Sequence, residues 1–124
     1  MSRYLIVALG GALGAACRYA LSGLAYRIIG VGFPWGTLVV NVSGCFFFGF
    51  LWSRAVERGA MGPEARALLL TGFAGALTTF STYAHETIAQ IRDGDTGAAF
   101  CNLLANNGGG LVAFWIALRL GQLF

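Results

Sequence analysis

Hydroxyl side chains at Thr78, Thr79, Ser81 and Thr82 surround the aromatic pair Phe80 and Tyr83 in the segment TGFAGALTTFSTY, residues 71–83. The segment is otherwise apolar enough to cross a bilayer. Gly72 and Gly75 let a membrane helix open its backbone here, and a carbonyl freed at membrane depth persists only where an ion or water satisfies it. Phe80 and Tyr83 are three residues apart and project from one helix face. An aromatic ring has a partly positive edge, so two ring edges beside hydroxyl and amide donors can replace water around a small anion without a full positive charge. A cation would seek the ring face instead. The plainer alternative is that the aromatic pair only packs.

Asn41 stands in the middle of GTLVVNVSG. Its amide offers donors and an acceptor in a setting where an unpaired polar group costs about 1 kcal/mol or more, so it needs a partner. Two readings stay open, glue between helices and the lining of a pore. Arg18 lies two-thirds of the way along an apolar segment, where a guanidinium either snorkels to the interface or faces a wet vestibule and draws anions to it. His85 and Glu86 are neighbours and point to different helix faces, so they cannot chelate together, and no HExxH or CxxC pattern supports a zinc site. Nothing resembling a nucleophile elbow surrounds Ser81, so a triad with His85 and Asp93 is not expected, and the chain does not read as an enzyme.

The elements that must position these residues are membrane helices. With 124 residues, 57% of them hydrophobic and only 10% charged, and a mean hydropathy of +0.72, the chain has more apolar surface than a small soluble core can hide. Four segments suit the hydrocarbon thickness: about Tyr4 to Ala25, Trp35 to Trp52, Ala67 to Ile91 and Ala98 to Leu120. The first lacks the pattern of a removable signal peptide and is read as retained. Gly10 and Gly14 form a small-xxx-small pair that marks a helix contact face. Pro34 sits near the start of the second segment, and Pro63 with Glu64 suits the first turn of the third. RDGDTG reads as a turn.

A net charge of +3 and a pI near 9.1 do not point to nucleic acid, because the arginines sit singly at segment ends rather than on one solvated face. Arg3, Arg54, Arg58, Arg66 and Arg119 fall on the side of the N-terminus, and Arg27 and Arg92 opposite. The positive-inside rule then places both termini in the cytoplasm. Cys17, Cys45 and Cys101 fall inside predicted spans and are read as free packing residues. The whole chain, residues 1–124, reads as one all-α membrane unit. Four short helices leave Asn41, Arg18 and Asn106 without a protected surface, so a homo-oligomer is expected, a dimer being the smallest solution.

GGALGAACRY, PWGTLVVNVSG and GFAGALTTFSTY, in that order and spacing, resemble the Fluc (CrcB) fluoride-channel family along essentially the whole chain. The resemblance implies an antiparallel, dual-topology dimer in the bacterial plasma membrane. Each subunit would have four helices with the third broken, and fluoride would pass passively through two pores along the subunit interface. It also implies a buried structural Na+ held by backbone carbonyls of both subunits, here those of Gly75 and Thr78. The family's pore asparagine matches Asn41, its two box phenylalanines match Phe80 and Tyr83, and its first-helix arginine matches Arg18.

Two departures stand out. Tyr83 adds a hydroxyl to the usual phenylalanine. In the fourth segment, positions the family commonly fills with serine and threonine fall by ungapped comparison on Gly110 and Phe114. Either Asn106 or Asn107 supplies replacement donors in a homodimer, or the chain pairs with a paralogous subunit and one pore is weakened. The competing class is a small four-helix, proton-coupled multidrug exporter. That would call for an acidic residue deep in the first span, whereas Glu86, late in the third, is the only carboxylate in any span.

Overall fold

The computed structural model describes residues 2–124. Among these every regular element is a helix, without strands. Four helices are long and apolar enough to cross a membrane: Arg3–Ile29, Trp35–Glu57, Pro63–Arg92 and Thr96–Leu123. Each runs a few residues beyond the apolar segment expected from hydropathy, because polar residues continue the winding past the hydrocarbon boundary. The first and fourth helices leave most of their surface uncovered, whereas the second and third are more enclosed.

Local chemistry sets the ends. The Ser2 hydroxyl caps the first helix through the Leu5 amide, and Gly30, at φ 112°, terminates it in a conformation other residues avoid. Trp35 opens the second helix directly after Pro34. Pro63 is the first residue of the third helix, with Glu64 in its first turn as expected. The predicted turn carries Gly94 at φ 83°, after which Asp95 caps the fourth helix by accepting from the Ala98 amide at 3.0 Å. Residues Ala67–Ala74 wind in wider π-type turns, which the sequence did not announce.

The Gly10–Gly14 face meets the third helix backbone to backbone. A methyl group on Gly10 would collide with the Leu68 carbonyl and one on Gly14 with the Phe73 carbonyl, while Gly72 rests against Val7 and Gly10. The second and fourth helices approach in the same way where Gly49 lies on the Phe114 backbone. In a bilayer such close approach is what holds helices together, because lipid competes for every purely apolar contact.

Gly14→Leu should therefore force the first and third helices apart and cost about 1–3 kcal/mol. Gly11→Ala, whose added carbon meets nothing within 4 Å, should be neutral or stabilising by up to about 1 kcal/mol. Unfolding midpoints of the two variants in detergent check the contrast; equal midpoints would remove the glycine face from the account.

Candidate functional site

The third helix is interrupted where its hydroxyl residues cluster. Winding stops at Leu77; Thr78 (φ −85°, ψ 157°) and Thr79 (φ −145°, ψ 113°) are extended; and a second helical stretch, Phe80–Arg92, begins. Thr79 caps that stretch: its hydroxyl oxygen accepts from the Thr82 amide at 3.3 Å and lies 2.9 Å from the Thr82 hydroxyl and 3.4 Å from that of Ser81.

An extended residue in a helix pair has two backbone groups to satisfy, and Asn41 of the second helix meets both. Its Oδ1 accepts from the Thr79 amide at 2.8 Å and its Nδ2 donates to the Thr79 carbonyl at 3.1 Å. The same Nδ2 donates to Asn106 Oδ1 at 2.9 Å. Asn106 Nδ2 donates to Asn102 Oδ1 at 2.8 Å, Asn102 Nδ2 to Thr87 Oγ1 at 3.0 Å, and Thr87 to the Tyr83 carbonyl at 2.8 Å. Asn102 and Asn106 are buried within the subunit.

Phe80 and Tyr83 meet edge to face with centroids 5.5 Å apart, Phe80 being 77% exposed and Tyr83 buried. The Tyr83 hydroxyl accepts from Asn107 Nδ2 at 2.8 Å. Arg18 is half-buried and lines a cleft of about 960 Å³ together with Ser22, Tyr26, Thr37, Thr79 and Thr82. Arg18 and two of the expected hydroxyls thus share one cavity, while Ser81 is exposed on the next face. At the far end of the site, Glu86 Oε1 accepts from Thr37 Oγ1 at 2.7 Å and from the Tyr26 hydroxyl at 3.4 Å, with Oε2 buried and unpartnered. Gly75 is exposed and Thr78 half-buried on the subunit surface.

Sequence reasoning missed Thr37, Tyr26, Thr87 and Asn102. The spacing of Asn102 and Asn106, four apart on one helix face, was the available signal for the last. Gly110 and Phe114 are occupied with packing: Gly110 backs onto Cys45, and Phe114 lies against Phe48 with centroids 6.1 Å apart. The side chain that reaches Asn41 from the fourth helix is Asn106, one turn earlier.

Removing the amide in Asn41→Ala leaves the Thr79 amide hydrogen without its acceptor, at an expected cost of about 1–3 kcal/mol. Chemical denaturation in detergent measures it; an unchanged midpoint would show that the interruption stands without Asn41.

Residues 5–118 match the family model described as CrcB-like protein, Camphor Resistance (CrcB). The chain is 48% identical over 117 residues, covering 94% of each chain, to the fluoride-specific ion channel FluC of Solidesulfovibrio magneticus. It is 46% identical over 117 residues, again covering 94% of each, to the protein of that name from Nitrosococcus oceani. Against the Aquifex aeolicus protein of that name it is 44% identical over 116 residues, with 94% of each covered.

Proposed function

Because this chain belongs to the CrcB family, whose relatives are fluoride-specific ion channels and not enzymes, we propose that it is a fluoride-selective passive channel exporting cytoplasmic fluoride. It is a multi-pass membrane protein, with four helices able to span the bilayer. The observation that carries the reading is the extended Thr78–Thr79 segment held by Asn41, which gathers amide and hydroxyl donors around Phe80 and Tyr83 at membrane depth.

The chain acts as one four-helix subunit, residues 1–124, of an antiparallel dual-topology homodimer with two pores at its interface. Support comes from the exposure of Phe80 and Gly75 beside the break in the third helix, surfaces a second copy would cover. Arg18, at the cleft shared with Thr79 and Thr82, raises the local anion concentration. Hydroxyls of Thr79, Ser81 and Thr82 and the amide of Asn41 replace water stepwise, and the edges of Phe80 and Tyr83 line the narrow stretch. A narrow path compensates a small anion for lost hydration better than a large one, which favours fluoride over chloride.

No energy source is needed. Hydrogen fluoride enters as a neutral weak acid and dissociates inside, and a negative-inside potential drives the anion out at about 2.3 kcal/mol per charge per 100 mV.

The carbonyls of Gly75 and Thr78 fit a structural Na+. The Thr79 amide, which would close the next helical turn on Gly75, is bound to Asn41 instead. The Thr82 amide, which would close on Thr78, is bound to the Thr79 hydroxyl. Carbonyl oxygens released in this way are hard ligands for a small cation. When bound, Na+ supplies the positive charge that ties the two interrupted helices of a dimer together.

Liposomes containing this chain alone and loaded with fluoride should release it rapidly to a fluoride electrode once a potassium ionophore dissipates charge, with little chloride loss and no need of a pH gradient. Retention of fluoride, or release only with a proton gradient, would sink the channel reading. Separately, protein purified without sodium should unfold at a lower temperature, and sodium but not potassium should restore the midpoint; equal midpoints in all three conditions would dismiss the structural cation.

A further inference from the structure

The amides on the fourth helix are locked in one orientation, which a hydroxyl would not be. The Thr79 amide hydrogen can be met only by an oxygen, so it fixes which side of the Asn41 amide faces it. Both hydrogens of Asn41 Nδ2 are then committed, one to the Thr79 carbonyl and one to Asn106 Oδ1. Asn106 is held in turn, because its Nδ2 donates both to the Asn102 carbonyl at 3.2 Å and to Asn102 Oδ1 at 2.8 Å. Asn102 passes the same polarity to Thr87, and Thr87 to the Tyr83 carbonyl. Turning over any one amide would set N–H against N–H. With Asn102 at 0% and Asn106 at 8% exposure, little solvent is at hand to repair the mismatch.

We propose that Asn106 Oδ1 is a neutral competitor for the anion, occupying the Asn41 amide hydrogen that a fluoride ion must take. Asn106 thereby sets how readily the Asn41 hydrogen is given up, and Asn102 is the positioning residue that holds it in place. The inference rests on the fluoride-channel reading above and deepens it. A hydrogen bond to a charged acceptor is about twice as strong as one between neutral groups, so fluoride, the stronger acceptor, displaces the amide oxygen. Chloride, larger and more weakly accepting, gains less at Asn41 and displaces it less often. The competition lowers passage of every anion by the same factor, because the bond given up is the same whichever anion takes its place.

The shorter serine side chain at position 106 carries no amide oxygen to set against Asn41, which removes the competition. In liposomes, Asn106→Ser should raise fluoride efflux by up to about fivefold, the factor that an ordinary hydrogen bond represents. It should raise chloride leak by the same factor, so that both fluxes climb together from their different starting values. Asn102→Ser, which releases Asn106 without touching Asn41, should raise both fluxes by less. A merely structural role would lower both fluxes or leave them unchanged, and either result would overturn the proposal.

A measurement on the wild-type protein covers variants that fail to fold. With asparagine side chains labelled with nitrogen-15, titration with sodium fluoride should shift the Asn41 and Asn106 amide resonances together, and sodium chloride should shift them little. Movement of Asn41 while Asn106 stands still would overturn the proposal. If wild-type liposomes retained fluoride as protein-free ones do, the channel reading would be the one to fail, and the titration would still decide whether fluoride displaces Asn106.

Discussion

A side-chain amide that meets both backbone groups of Thr79 is the constraint on which the rest of the molecule depends. Interrupting a helix at membrane depth frees N–H and C=O groups, each worth several kcal/mol if left unmet in hydrocarbon. Asn41 supplies an acceptor and a donor in one plane, at 2.8 and 3.1 Å, much as the edge of a neighbouring strand would. The Thr79 hydroxyl then caps the helix that restarts at Phe80. Both backbone groups of Thr79 are therefore met from the second helix, the restart is capped from within, and Asn41 holds the extended segment where it lies.

That pairing dictates how close the helices must come. Asn41 has a short side chain, so the second helix must lie against the extended segment, and one turn later Gly44 does so: a methyl group there would run into the side chain of Thr78. On the other flank, Gly10, Gly14 and Gly72 bring the first and third helices together at their backbones. The glycines and the asparagine are parts of one solution. The glycines provide the proximity, and the amide turns that proximity into hydrogen bonds that lipid cannot offer in exchange.

The spans were legible because hydropathy alone reports a membrane helix, and their capping residues marked most of the turns. The hydroxyl and aromatic cluster at 78–83 was legible as chemistry for the same reason, being polar where polarity is costly. Asn41 was visibly a residue in need of a partner. Its partner was not legible, because a bond between residues 38 apart on different helices leaves no periodic trace. Glu86 read only as the one carboxylate in any span; that Thr37 and Tyr26 from two other helices take up one of its oxygens was not legible. In the fourth helix Gly110 and Phe114 are fixed by Cys45 and Phe48, and the polar contacts are made a turn earlier by Asn106 and Asn107, the two asparagines that the sequence offered as replacement donors. The wider turns at Ala67–Ala74 had no composition to announce them.

Asn106 and Asn107, adjacent in sequence, point about 100° apart around the helix axis and so serve different neighbours. Asn106 reaches Asn41; Asn107 donates to the Tyr83 hydroxyl at 2.8 Å and to the Leu103 carbonyl at 2.8 Å. A tyrosine beside Phe80 brings a polar atom into an aromatic pair, a change that is costly if the atom is buried alone. Here the fourth helix provides its donor, so Tyr83 stays buried with its ring at 64° to that of Phe80. Tyr83 and Asn107 are best understood as a matched pair. The hydroxyl that sets Tyr83 apart from phenylalanine is accommodated because the residue that binds it is also present, and the aromatic geometry beside the Thr79 interruption is kept.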